Sequence, residues 1–190
     1  MENTTNTILY SKNADEVLFP GSTVKIMTCL LALENTQLTD EVTMTATGVS
    51  GVTDGGASIS SQVDEVFTVE QCLYAIMVAS ANDIALQIAE HVGGSVDGFV
   101  QQMNTRAQEL GCTNTVFTNP TGLPDDNQHT TAHDMALIMQ AAIQNESFRT
   151  IAAATSYTIP ATNKAAARNL TSKFTMTDTC LLYTSPSPRD

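Results

Sequence analysis

Ser22 and Lys25 stand three residues apart, Ser22 directly after Pro20-Gly21 and Lys25 just ahead of the apolar run Ile26-Met27-Thr28-Cys29-Leu30-Leu31-Ala32-Leu33. On a helix beginning near Ser22, that spacing puts the hydroxyl and the amine one turn apart on the same side. Ser22 would face the free N–H groups and the positive end of the helix dipole, which favour developing negative charge. Lys25, a turn deeper among apolar neighbours, would lose water, and desolvation lowers a lysine pKa from its usual value of about 10.4. A serine beside a lysine that can be neutral is a nucleophile beside its base. The chemistry is acyl transfer without a histidine. Taken alone, the same pair also describes a capping serine and a snorkelling lysine.

The elements around the pair give it context. Residues 7–10 read as a short strand, and residues 42–45, β-branched and alternating, as another. A helix runs from Ser22 to about Asn35, apolar almost all round and therefore a core helix. Residues 48–61, rich in Gly, Ser and Thr, read as an irregular loop; no Lys-Ser/Thr follows its glycines, which excludes a phosphate loop. Thr68 starts a helix that reaches Ala79, with Gln71 in the capping-box position. Ser80-Ala81-Asn82 interrupts the pattern before a helix over 83–92, stopped by Gly93-Gly94. A further helix spans 96–110 and ends at Gly111. Asn119-Pro120-Thr121-Gly122-Leu123-Pro124 is a long turn, Thr130 or Thr131 caps a helix ending near Gln144, and 155–159 is a last strand candidate.

Composition narrows the classes. A chain of 190 residues with 42% hydrophobic residues is one domain with enough apolar material for a core. A formal charge of −12 argues against nucleic acid and against an anionic membrane surface. Cys29, Cys72, Cys112 and Cys180 form no CxxC pair, and no disulfide framework is expected. No run reaches membrane-spanning length, and residues 1–5 lack the basic and apolar regions of a signal peptide. His129 and His133 lie near Asp125, Asp126 and Asp134, but without His-Glu-x-x-His they read as loop and first-turn polar residues, not metal ligands.

Three features then follow in order: Pro-Gly-Ser22-Thr-Val-Lys25, Ser80-Ala-Asn82-Asp83 and Asn119-Pro-Thr-Gly-Leu. The first two match the Ser-x-x-Lys and Ser-x-Asn signatures of penicillin-binding proteins and class A β-lactamases. The wider text, including Ser80-Ala-Asn-Asp-Ile-Ala-Leu-Gln-Ile-Ala-Glu-His, Phe99-Val-Gln-Gln-Met-Asn and Glu109-Leu-Gly-Cys-Thr-Asn-Thr, resembles the low-molecular-mass serine D-Ala-D-Ala carboxypeptidases. The resemblance covers about residues 8–175. It implies an α/β fold, the β-lactamase/penicillin-binding transpeptidase-like fold, mainly its helical part. It also implies an acyl-enzyme on Ser22, Lys25 as general base, and Ser80 relaying a proton to the leaving amine. Asn82 would hold Lys25 and the substrate amide. The implied partners are peptidoglycan stem peptides ending in D-Ala-D-Ala and β-lactams as covalent inhibitors; no cofactor and no nucleic acid are implied. The complete protein would work outside the cytoplasmic membrane, associated with it through terminal segments absent here.

The departures shape the expectation. The family's third signature, Lys-Thr-Gly, is absent: Lys12, Lys164 and Lys173 are followed by Asn-Ala, Ala-Ala and Phe-Thr. Residues 1–175 are therefore expected to be an incomplete catalytic domain lacking the C-terminal strands of the central sheet, with little or no activity. Residues 176–190, aperiodic and with two prolines, read as a non-native or disordered tail. Two alternatives share the first signatures. A class A-like β-lactamase would need a deacylating carboxylate, and no convincing Glu-x-x-x-Asn segment supplies one. A non-catalytic β-lactam- or cell-wall-binding module would keep the Ser-Lys pair without turnover.

Overall fold

The computed structural model describes residues 1–2, 5, 7–50 and 56–172; the expected tail over 176–190 and Cys180 lie outside the described residues. At its centre is α1, Val24–Asn35, entered through a 3₁₀ turn over Gly21–Thr23. Val24, Met27, Cys29, Leu30, Leu31 and Ala32 are all buried, as a helix without a polar stripe requires. Its C-terminal end is closed by side chains. Asn35 Nδ2 donates to Leu31 O, and Thr36 Oγ1 and N both donate to Ala32 O, satisfying carbonyls that the helix leaves open.

Around α1 pack α3 (Val69–Ala79), α4 (Asn82–Gly93), α5 (Val96–Glu109), α6 (Ala132–Ala142) and α7 (Glu146–Ala152). The Thr68 capping box forms as expected: Gln71 N donates to Thr68 Oγ1 at 3.2 Å, and Thr68 N donates to Gln71 Oε1 at 3.0 Å. Gly94, in the left-handed region at φ +71°, ends α4. Of the two candidate caps for α6, Thr131 is the one that serves, accepting from Asp134 N. A single apolar core runs through these helices, with Phe67, Phe99, Phe117 and Phe148 among its largest buried side chains.

Among the described residues, two antiparallel two-stranded sheets flank the helices. β1 (Glu41–Thr43) pairs with β2 (Val66–Thr68), and β3 (Ser156–Ile159) pairs with β4 (Arg168–Thr171). The second hairpin is tied to the body by a buried ion pair. Arg168 Nη1 meets Glu65 Oε1 at 2.7 Å, and Arg168 also stands over the Phe67 ring.

Several expectations are corrected. Residues 7–10 form no strand; Ile8, Leu9 and Tyr10 are exposed, and no neighbouring strand among the described residues offers them a ladder. The strand expected at 42–45 is β1, which ends at Thr43. Its partner β2 was unforeseen, because a three-residue strand is too short to display alternation. The supposed loop at 48–61 begins inside a helix, α2 (Ala46–Ser50). Thr45 explains it. Its Oγ1 accepts from Thr47 N while Gln87 and Glu90 on α4 take its own donors, giving α2 a start that composition did not show. Gly48 belongs there for packing: a Cβ would stand 2.7 Å from Gln87 Oε1. Residues 51–55 of that expected loop lie outside the described residues, and 56–61 is irregular. The short α7 and β4 were not foreseen either.

Candidate active site

Three chain segments converge on Lys25. α1 carries the residue itself, buried to 3% exposure, beside an exposed Ser22 on the 3₁₀ turn. Lys25 Nζ donates to Asn82 Oδ1 at 2.7 Å and to Thr121 O at 2.5 Å, and approaches Ser22 Oγ at 3.4 Å. Ser80 Oγ lies 3.1 Å from Ser22 Oγ. The four residues singled out in the sequence, Ser22, Lys25, Ser80 and Asn82, are thus brought together. Ser22, Lys25 and Ser80 line a cleft of about 410 Å³ whose apolar side is Ile26, Ile76, Met77 and Val78.

Local chemistry fixes each group. Ser80 closes α3 in the left-handed conformation, φ +57°, where glycine is the usual occupant; this costs on the order of 1 kcal/mol. That backbone reversal is what lets α4 begin two residues later with Asn82. The start of α4 is strapped down by the preceding loop. Asn82 N donates to Ala57 O, and the buried Asp83 carboxylate accepts from Ser58 Oγ, Ser61 Oγ and Ser61 N. The Asp83 side chain thereby ties the preceding loop to the first turn of α4.

The Lys25 amine is the electrostatic centre. Burial is the dominant cause and lowers its pKa from 10.5 to about 8. Burial likewise pushes the Cys29 thiol up to about 12, so it stays a neutral thiol at ordinary pH. At pH 7 about one Lys25 in ten is then neutral. Two of its three neighbours, Asn82 Oδ1 and Thr121 O, can only accept hydrogen bonds. A neutral amine that satisfies both has two N–H bonds committed, and its lone pair is left facing the Ser22 hydroxyl.

The Thr121 carbonyl was not singled out in the sequence, and no residue type marks it, since every residue carries a carbonyl. Elsewhere the structure gives ordinary reasons for suspect residues. Asn104 bridges α5 to Phe117 through its amide, a structural role. Asp134 is buried and accepts from Asn114 N and Thr115 Oγ1, and His133 stands 3.5 Å from Asp15. Arg106 pairs with Glu34 and Glu109 on the surface. Among the described residues no three potential metal ligands converge.

Comparison with known proteins bears on the same chemistry. Residues 1–185 match the Peptidase_S11 family, described as D-alanyl-D-alanine carboxypeptidase. The D-alanyl-D-alanine carboxypeptidase DacF of Bacillus subtilis is 38% identical over 152 residues, 77% of this chain but only 38% of that protein. The D-alanyl-D-alanine carboxypeptidase of Streptomyces sp. strain K15 is 34% identical over 173 residues, 86% of this chain and 60% of its own. The chain thus spans less than two thirds of the length of either curated relative. In three dimensions the crystal structure of the Streptomyces K15 DD-transpeptidase superposes with a TM-score of 0.87 at 30% identity, covering 94% of this chain and 73% of that one. The D-alanyl-D-alanine carboxypeptidase of Mycobacterium tuberculosis H37Rv superposes with a TM-score of 0.82 at 26% identity.

Proposed function

Because the chain belongs to the peptidase S11 family of D-alanyl-D-alanine carboxypeptidases, we propose that its parent protein is a serine D,D-carboxypeptidase. It removes the terminal D-alanine of peptidoglycan stem peptides through an acyl-enzyme on Ser22. The observation that carries this reading is the arrangement of Lys25, whose two acceptor-only partners leave its lone pair to Ser22. In the acylation step the Ser22 proton passes to Lys25 Nζ as Oγ bonds to the carbonyl carbon between the two D-alanines. The tetrahedral adduct then collapses, the C–N bond breaks, and the departing amine takes a proton from the lysine through Ser80 Oγ. Ser80 Oγ, 3.1 Å from Ser22 Oγ, stands beside the nucleophile where the C–N bond breaks. Asn82 holds the lysine and offers its amide NH₂ to the substrate. Water then adds to the ester, and Ser22 leaves reprotonated.

β-Lactams follow the same first step: Oγ adds to the lactam carbonyl and the ring C–N bond opens, so they trap Ser22 as an ester. The site of action is outside the cytoplasmic membrane, where the substrate lies. The absence of Lys-Thr-Gly bears on rate. One oxyanion donor alone is worth about 10²–10³ in rate, so this chain is expected to turn over D-Ala-D-Ala peptides undetectably.

The test is labelling with a fluorescent penicillin, read by intact mass and peptide mapping, with Ser22→Ala as control. A single adduct on Ser22, lost in the control, is the expected result. If no adduct forms, and none forms after a Lys-Thr-Gly-bearing C-terminal segment from a family member is appended, the assignment of Ser22 is wrong.

A further inference from the structure

The Asn119-Pro120-Thr121-Gly122-Leu123 turn stands out in the sequence, yet the acyl-transfer scheme above gives four of its five residues nothing to do. The structure ties it to both reacting groups. Asn119 Oδ1 accepts three hydrogen bonds, from Thr121 N at 3.2 Å, Thr121 Oγ1 at 2.8 Å and Gly122 N at 2.8 Å. Its Nδ2 donates to Leu123 O at 3.0 Å, so one side chain closes the whole turn. The turn is then fastened at both ends of the site. Thr28, one turn after Lys25 on α1, donates to Pro120 O at 2.8 Å. Gly122, at φ +81°, lies so close to the nucleophile's turn that a Cβ would stand 1.9 Å from Gly21 O and 2.9 Å from Ser22 N. No other residue type fits there without moving one turn off the other.

We propose that Asn119 and Gly122 are positioning residues for acyl transfer, clamping the Thr121 carbonyl onto Lys25 so that the amine's free lone pair faces Ser22. This rests on the functional reading above. The clamp does two things. It supplies one of the two acceptors that orient the amine, and it covers the amine from water, Thr121 itself being 2% exposed. With the turn detached, water can replace the carbonyl as an acceptor but cannot reproduce its direction. Lys25 is then rehydrated, and since burial is the largest cause of its lowered pKa, that pKa moves up. The other titratable groups nearby do not face it with a charge that the turn would change. Cys29 on α1 is a neutral thiol, Asp83 on α4 is turned into Ser58 and Ser61, and the clamping residues carry no charge.

The test uses the 190-residue chain and two readouts: ¹⁵Nζ shift titration of Lys25, assigned with Lys25→Arg among the four lysines, and the rate of Ser22 labelling by penicillin against pH. In Asn119→Ala and in Gly122→Ala the Lys25 midpoint should rise by a unit or more. Each unit cuts the neutral fraction at pH 7 about tenfold, so labelling there should slow at least as much. A labelling rate lowered equally at every pH, with the Lys25 midpoint unmoved, would mean a merely structural turn and overturns the proposal. Unchanged behaviour of both variants does the same. If either variant melts below the assay temperature, Thr28→Val, which removes only the Pro120 tether, must shift the midpoint in the same direction by a smaller amount. Failure of the functional reading is distinguishable: Ser22 would then stay unlabelled even with the Lys-Thr-Gly-bearing segment appended, while the titration still decides whether the turn sets the state of Lys25.

Discussion

Ser80 is a serine where the backbone asks for glycine, and the cost of keeping it argues for its hydroxyl. At φ +57° a side chain is strained, and glycine would relieve on the order of 1 kcal/mol, partly offset by its freer unfolded chain. Ser80→Gly should therefore melt at or slightly above the parent temperature, while Ser22 labelling slows about 10²-fold or more through loss of the proton relay. A thermal melt and a labelling time course check both halves. A variant that melts markedly lower would deny the strain, and one that labels at the parent rate would deny the relay. Among single residues the site was unevenly legible. Ser22 and Lys25 could be read from spacing and apolar surroundings, because those determine both helix side and desolvation. Ser80 and Asn82 were legible only through the resemblance to a family, since Ser-x-Asn occurs in Ser11-Lys12-Asn13 as well. The Thr121 carbonyl carried no signal at all.

At the scale of elements, signals that are local chemistry survived and signals that need a distant partner did not. The Thr68 capping box and the Gly94 stop use residues within one turn of the helix end, and both form as expected. The strand expected at 7–10 needed a neighbour to hydrogen-bond with, and β2, three residues long, is defined only by its pairing with the distant β1. The β3–β4 hairpin depends on such a distant tie. Glu65 is fully buried, and burial alone would push its carboxyl up. The Arg168 guanidinium with the Thr162 hydroxyl and Gln62 N–H outweighs that and holds it below the usual carboxylate range. Arg168→Met should cost about 3–5 kcal/mol, because it strands a buried carboxylate without its cation. Glu65→Gln in the Arg168→Met background should recover part of that loss. Urea unfolding of the single and double variants measures it, and a loss below about 1 kcal/mol for Arg168→Met would mean the pair is solvated.

For the whole molecule, the same desolvation that makes Lys25 a base is a standing cost to folding, and it has a pH signature. The unfolded chain holds the Lys25 proton up to about 10.5, whereas the folded chain releases it near 8. Between those values the unfolded state binds more protons, so stability rises with pH across the window. Below about pH 8 the penalty is fully present, on the order of 3 kcal/mol. Core burial by α1 and the helices around it carries that cost, since Val24, Met27, Leu30 and Leu31 are each worth about 1.5–3 kcal/mol when withdrawn from water. Lys25→Met removes the titration while leaving the other ionisable groups in place, so the difference between the two proteins isolates it. From pH 7.5 to 9.5 the parent should gain about 2 kcal/mol relative to Lys25→Met in urea unfolding. A flat difference would place the Lys25 proton in the same state folded and unfolded. The amine would then be an ordinary ammonium at neutral pH, and the base assigned to Ser22 would have to be sought elsewhere.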